Sequence, residues 1–425
     1  MLRDFRWASA LKASLTPEEK GYIEQKPTEN LEAYDFYLRA LDYYDQSNFR
    51  IAAQMFEKAV ALDPSFALAY AALSWTNTYV YWVHVDHTPE RLGKAKTAVD
   101  QALALEPDLP EAHFALGRYY YHGYLDYDRA LEQFTIALKG MPNHAHTRAY
   151  IGYVQRRQGK FEQALANQLK PYDLDPRSAR LANDLANTYR LLRRYPEAER
   201  YYNRAIALRP DSFGSYSNKV WLYVRWEGNI RKARRVLDEA IPNLENAADP
   251  QLFRERARLN MFDRNYPAAL EQLAYAPSEL NLAQSLLYAQ IYKLTGQGDL
   301  ARAYYDSARV LVEAGLKEDP VNPGYYSDLG IACAGLGRKE EALRAGQKGV
   351  ALLPISQDAL RGYTREVDLA IIYTMVSENE AAIDKLAYLL SIPGDLSVPL
   401  LKLDPTWDPL REHPRFKALV EKYGG

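Results

Sequence analysis

One cysteine, Cys333, stands in a chain of 425 residues. It cannot close an intramolecular disulfide, which excludes a disulfide-stapled scaffold and favours a reducing compartment. Charge of one sign is also lacking. The formal net charge is -2, so the chain as a whole exerts no pull on nucleic acid or on an anionic membrane. No stretch approaches the ~20 consecutive apolar residues that a membrane-spanning helix needs. The opening MLRDFRWASALKASL carries Arg3, Asp4, Arg6 and Lys12 and no apolar core, so it does not read as a secretory signal. Catalytic signatures are missing as well: no G-x-S-x-G, no H-E-x-x-H and no G-x-x-x-x-G-K-[ST] occurs. Gly296-Gln297-Gly298 and Gly335-Leu336-Gly337 read as turns between paired helices, since a phosphate cradle would need a preceding strand. Phenylalanine is scarce beside tyrosine, 12 against 34, which leaves rings with a polar tip for surfaces as well as core.

What is present is a recurring unit, most legible in Ala179–Pro210, ARLANDLANTYRLLRRYPEAERYYNRAIALRP. Leu185, Ala186 and Tyr189 fall on one stripe of a first helix, and Ala198, Tyr202 and Ala205 on one stripe of a second. Tyr195-Pro196 lies between them and Pro210 closes the unit. Small residues stand where two helix backbones approach; large rings fill the space between turns. The pattern returns with Phe36, Ala40, Tyr43, Ala52, Phe56, Ala59 and Pro64, and then along most of the chain to Ala382, Leu386 and Pro393. Three units depart from it. The second has extra residues near Tyr79–His87. The fourth carries Pro171 inside a helix, where a proline costs roughly 3 kcal/mol, so that helix is expected to kink or stop early. In the ninth, Gly346 and Gly349 replace packing residues, as if a neighbour pressed close, and Cys333 takes an inward tyrosine position, where a buried, inert thiol is expected.

This helix-turn-helix resembles the tetratricopeptide repeat (TPR), W-x2-L-G-x2-Y, then A-x3-F, then a closing proline. The resemblance implies an all-α fold: a right-handed superhelical solenoid of about ten TPR units with terminal caps. Residues 1–32 are expected to cap the array or to be the remnant of an upstream domain, with a short helix on Leu2, Phe5, Ala8 and Leu11 and a helix start at Thr16-Pro17. Residues 33–393 are expected to form the solenoid and 394–425 a C-terminal cap. The flanks LTPEEKGYIEQKPTENLEAYDFYLRA and LKLDPTWDPLREHPRFKALVEKYG resemble those of bacterial TPR segments that accompany TolB-like, adenylate-cyclase or winged-helix output domains in signalling proteins. That upstream domain is missing here, so the chain reads either as a fragment or as repeats standing alone. A cytoplasmic location is expected, or a periplasmic one if an upstream segment is missing.

The function implied is non-catalytic, with no cofactor and no bound metal. His84, Asp86 and His87 lie close together, but three residues without a fourth ligand read as a solvated or packed loop. In a TPR stack the first helices line the concave face. Reading the groove slots of those helices gives Arg118, Tyr121, His146, Tyr153, Arg156, Arg180, Asn183, Asn187, Arg190, Arg254 and Arg258. These slots contain no acid, although the whole chain is near neutral. Arginine forks and amides suit carboxylates and peptide backbone. The expectation is therefore a scaffold that holds an extended or acidic polypeptide partner, not nucleic acid. Two alternatives stay open. One is self-assembly into a homo-oligomer or filament through an aromatic patch built from Tyr79–Trp82 and Tyr119–Tyr127. The other is a regulatory arm of a cyclase or transcription regulator. Packing of the aromatic insert within its own chain competes equally with the patch.

Overall fold

The computed structural model describes residues 27–83, 85–244, 250–275 and 281–424, and every described residue with regular structure is helical. The expected helices on Leu2–Leu11 and at Thr16-Pro17, and His84 of the His-Asp-His group, lie outside the described residues. Two compact units result. The first comprises the described residues up to Arg156 together with Glu162–Pro176; the second comprises Arg157–Phe161 together with the described residues from Arg177 on.

In the first unit, helices pair as α1 (Leu31–Asp45) with α2 (Phe49–Leu62), α3 (Ala67–Trp82) with α4 (Pro89–Leu105), and α5 (Pro110–Tyr119) with α6 (Tyr127–Gly140). Next in sequence come α7 (Ala145–Arg157) and α8 (Phe161–Leu174). In the second, the pairs are α9 (Ala179–Leu191) with α10 (Tyr195–Leu208), α11 (Phe213–Glu227) with α12 (Ile230–Ala240), α13 (Pro250–Phe262) with α14 (Tyr266–Tyr275), α15 (Leu282–Leu294) with α16 (Gly298–Glu318), α17 (Pro323–Gly335) with α18 (Lys339–Leu352), and α19 (Arg361–Met375) with α20 (Asn379–Ser391). A short α21 (Val398–Leu403), a 3-10 turn (Pro405–Leu410) and α22 (Pro414–Tyr423) follow.

Local chemistry accounts for the helix ends. Asn30, Ser178, Asn229 and Asn281 cap helix starts with side-chain oxygens, and Asn281 with Gln284 completes a capping box. Nearly every hairpin turns through one left-handed residue: Ser47, Leu125, Gly159, Arg193, Gly228, Arg264, Gly296, Gly337 and Ser377, with φ between 53° and 78°. In several of these turns the next N–H bonds back five residues, as from Asn48 to the Tyr43 carbonyl, Arg194 to Tyr189 and Arg338 to Cys333. This is the wide closing bond of a Schellman turn. Five of the nine residues are not glycine, so the turn is carried by the bond as much as by residue type.

The stripes read from sequence are buried. Leu185, Ala186, Ala198, Tyr202 and Ala205 are all inaccessible, and Cys333 is buried beside Ala342 and Ile372. The close approach at Gly346 is real: a Cβ there would lie 2.6 Å from Ile372 Cδ1. The expectation for Pro171 is corrected. Helix α8 runs through it to Leu174, and the Asp175 N–H still reaches the Pro171 carbonyl at 3.0 Å. So close to the helix end, the proline removes a single ladder bond, and the last turn closes without it. The extra residues of the second unit largely lengthen helices: α3 continues to Trp82 and α4 starts at Pro89.

Candidate functional site

The first helices of the second unit carry the arginine and amide side chains picked out by the repeat slots; their partners come from adjacent helices and, for Arg190, also from a distant part of that unit. Arg180 is exposed at the start of α9. Asn183 Oδ1 accepts from Asn218 Nδ2 of α11 at 3.2 Å. Asn187 Oδ1 accepts from the Tyr202 hydroxyl at 2.8 Å, and Arg190 Nε donates to the same hydroxyl at 3.2 Å. Arg190 is also ion-paired to Asp395. Arg225 of α11 donates from Nε to the Asp395 main-chain carbonyl at 3.1 Å and lies 3.5 Å from its carboxylate.

Asp395 belongs to the non-helical stretch Ile392–Ser397, extended at both of its ends. Its backbone is held as firmly as its side chain. The Gly394 N–H donates to the Leu191 carbonyl at 3.0 Å. Arg193, the left-handed turn residue between α9 and α10, donates to the Leu389 and Leu396 carbonyls at 3.4 and 3.3 Å. The Tyr363 hydroxyl donates to the Leu389 carbonyl at 3.1 Å and accepts the Leu396 N–H at 3.2 Å. Two guanidiniums, Arg190 and Arg225, thus meet one carboxylate, and a third, Arg193, holds flanking main-chain carbonyls. Burial, and then the neighbouring Arg190 charge, push the Arg225 guanidinium down to about 9. The cluster carries more positive charge than Asp395 neutralises.

The face continues onto α13. The Trp221 ring has Arg225 over it at 5.3 Å and Arg258 at 5.8 Å. Trp221 Nε1 donates to Glu255 Oε2 at 2.6 Å, and Ser217 donates to Glu255 Oε1 at 2.9 Å. Arg254 is half-buried and Arg258 exposed. Burial raises the Asp404 carboxyl, while Arg264 and Arg258 pull it down. Arg264, another left-handed turn residue, bonds Asp408 at 2.8 Å. Farther along, α17 and α19 bring Asp328 and Asp368 together beside Arg365. Burial, and then the Asp368 charge, push the Asp328 carboxyl up to about 7.

In the first unit, the slot residues Arg118 and Tyr121 are interior, 4% and 7% exposed, which corrects their placement on an open groove. The Arg118 guanidinium lies 5.4 to 5.8 Å from the rings of Tyr79, Phe114 and Tyr150 and donates to the Tyr44 hydroxyl at 3.3 Å. Tyr44, Tyr79 and Tyr150 come one each from α1, α3 and α7, so successive first helices close over a single cation. A π-helical turn at Tyr120–Tyr124 follows α5 and brings both Tyr121 and His122 inward. His122 meets Trp82 at 4.5 Å between ring centroids. The aromatic insert therefore packs within its own unit. His146 lies 5.7 Å from His144, and Arg156 sits over Tyr153 at 5.6 Å. Of the candidate metal set, Asp86 is engaged by Arg91 at 2.8 Å and Thr88 at 2.7 Å, and His87 stacks on Tyr81 at 3.9 Å.

Sequence reasoning missed Arg193, Trp221, Arg225, Glu255 and Asp395. Asp395 lies 205 and 170 residues from the arginines it joins, and no local pattern signals that pairing. The acid-free reading of the slots also missed Glu255, which sits beside Arg254 and bonds within the face.

Comparison with known proteins places repeats at two positions. Residues 37–76 and 179–212 match tetratricopeptide repeat families. The chain thus carries tetratricopeptide repeats. It is similar to the tetratricopeptide repeat-containing protein trd-1 of Caenorhabditis elegans, 26% identical over 153 residues, which are 36% of this chain and 18% of that protein. The chain spans less than a fifth of that relative's length. Among solved structures it is similar to a tetratricopeptide repeat protein from Parabacteroides merdae, at 17% identity and a TM-score of 0.43 over 61% of this chain and 98% of that one. It is also similar to the human IFIT1 dimer with PPP-AAAA, at 18% identity and a TM-score of 0.44 over 72% of this chain and 69% of that one. No helix among the described residues is long and apolar enough to cross a membrane.

Proposed function

We propose that this chain is a non-catalytic scaffold that holds an extended, acid-bearing polypeptide against the first helices of its second unit. Tetratricopeptide repeat proteins generally act as protein–protein interaction scaffolds, and the proposal specifies the surface and the chemistry. One observation carries it. The stretch Ile392–Ser397 already lies on that surface, its carboxylate between Arg190 and Arg225 and its carbonyls on Arg193 and Arg225. Charge-assisted bonds to carboxylate and backbone carbonyl are the contacts an acidic peptide would use. The arginines assigned to a partner are Arg180, Arg254 and Arg258 on the same series of helices. Arg190 is excluded from that set because its change would also release the chain's own stretch.

The test is a fluorescence-anisotropy titration with a flexible peptide of alternating glutamate and glycine. Charge reversal at Arg180, Arg254 and Arg258 together should weaken binding at least tenfold with circular dichroism unchanged. Equal affinity in the reversed protein would refute the reading. The self-assembly alternative is not favoured, because Tyr79 and Trp82 pack inside the first unit.

A further inference from the structure

A cavity of about 200 Å³ opens in the second unit between α12, α13 and α14, lined by Arg234, Leu237, Asp238, Arg256, Asn260 and Gln272. Its polar groups are not alike. Arg234 is engaged: it donates to Asn260 Oδ1 at 2.8 Å and to Asp263 Oδ2 at 2.7 Å. Arg256 and Asp238 face each other at 3.6 Å, longer than a hydrogen bond, and with Asp238 70% exposed the pair stands at the cavity mouth with bonding capacity to spare. Gln272 Oε1 is buried with no hydrogen-bond partner. An orphaned buried acceptor costs about 1–3 kcal/mol and calls for a donor.

A ligand that completes this site must bring an acceptor for the Arg256 fork and donors for Gln272 Oε1 and Asp238, within a space of about 200 Å³. A sulfate supplies only acceptors and would meet the Asp238 carboxylate and the Gln272 oxygen with repulsion; a hydrogen phosphate has a hydroxyl to donate, but its net negative charge is still repelled by Asp238. A lone ammonium leaves Arg256 unmatched. We infer that the cavity binds a small zwitterion of the α-amino-acid class, its carboxylate on Arg256 and its ammonium on Gln272 Oε1 and Asp238. Leu237, 1% exposed, supplies the apolar wall against which a short side chain would rest.

Isothermal titration calorimetry of the full chain against individual free amino acids tests this. For any amino acid that binds, the N-acetyl derivative (no ammonium) and the amide derivative (no carboxylate) should each bind at least tenfold more weakly. Gln272→Leu and Arg256→Gln should each lower affinity at least tenfold while helicity is kept, and a chemical-shift map should place the ligand on α12–α14. The inference is overturned if no free amino acid binds at millimolar concentration, which leaves a cavity that holds water only. It is equally overturned if the acetylated derivative binds as well as the parent, or if Gln272→Leu, still folded, leaves affinity unchanged.

Discussion

The first unit buries a cation among rings, and the second gives its cations a carboxylate from far along the chain. Arg118 is surrounded by Phe114 of its own helix and by Tyr44, Tyr79 and Tyr150 from three others. Arg190 and Arg225 share Asp395, with Arg193 beside them on the Leu396 carbonyl. The difference teaches what each unit's stability depends on. In a linear repeat array each element touches only its neighbours, and stability is nearly a sum of local terms. The first unit stays close to that description, its long reach being the Tyr44–Arg118 bond between alternate hairpins. The second departs from it, because residues 389–411 tie its last hairpin to its first ones. Its helices α9 to α12 should therefore stand or fall with a segment some 200 residues away.

The largest expected effect cuts that tie. Trp407 is 2% exposed at the centre of the terminal core with Leu401 and Leu410. Trp407→Ala should cost about 3–5 kcal/mol. Native-state hydrogen exchange should then speed up in α9–α12 as well as in α19–α21, with α1–α6 unaffected. Confinement of the effect to α19–α22 would break the comparison.

Acid should move the two units in opposite directions. Burial pushes His144 down to about 4 and Asp328 up to about 7. Between about pH 6.5 and 4 an unfolded chain binds the His144 proton and the folded first unit does not, so that unit loses stability as pH falls. Between about pH 7 and 4 the folded second unit holds the Asp328 proton and the unfolded chain does not, so that unit gains stability as pH falls. Asp368 and Asp404, also raised by burial, add to the second sign. Each pKa unit is worth about 1.4 kcal/mol. Exchange measured at pH 7 and pH 5 should show these opposed slopes, and Asp328→Asn should flatten the second. Parallel slopes would contradict the assignment.

Smaller effects sharpen the picture. A Cβ at residue 394 would lie 2.3 Å from the Tyr363 ring, so Gly394→Ala should cost about 1–3 kcal/mol by overpacking in the second unit alone, read as a lower urea midpoint. Arg118→Met keeps the apolar stem and removes a buried charge without a carboxylate partner. It should change first-unit stability by less than about 1 kcal/mol, and a loss of several kcal/mol in a urea titration would show that the cation itself organises the rings.

These contrasts mark what could be read from the chain beforehand. The hairpins were legible because Leu185, Ala186 and Tyr189, then Ala198, Tyr202 and Ala205, repeat a spacing that only a paired-helix unit satisfies. The groove residues were legible as chemistry and only partly as location. A slot three or four residues along a helix tells which way a side chain leaves the backbone. It does not tell whether three neighbouring helices each contribute a tyrosine that seals it, as happens at Arg118. Nor does periodicity report a bond between Arg190 and Asp395, because a helical period carries no information beyond its own repeat and its neighbours. Pro171 was misjudged for a related reason: propensity counts a proline in mid-helix, whereas this one falls near the helix end.

The proposed role requires arginines on the first helices of the second unit to grip an acid-bearing polypeptide. Hydrogen-exchange footprinting with and without the glutamate–glycine peptide tests it most directly. Slowed exchange at the start of α9, near Arg180, and along the middle of α13, near Arg254–Arg258, with none in α1–α6, is the predicted result. A footprint confined to the first unit, or no footprint at saturating peptide, would contradict it.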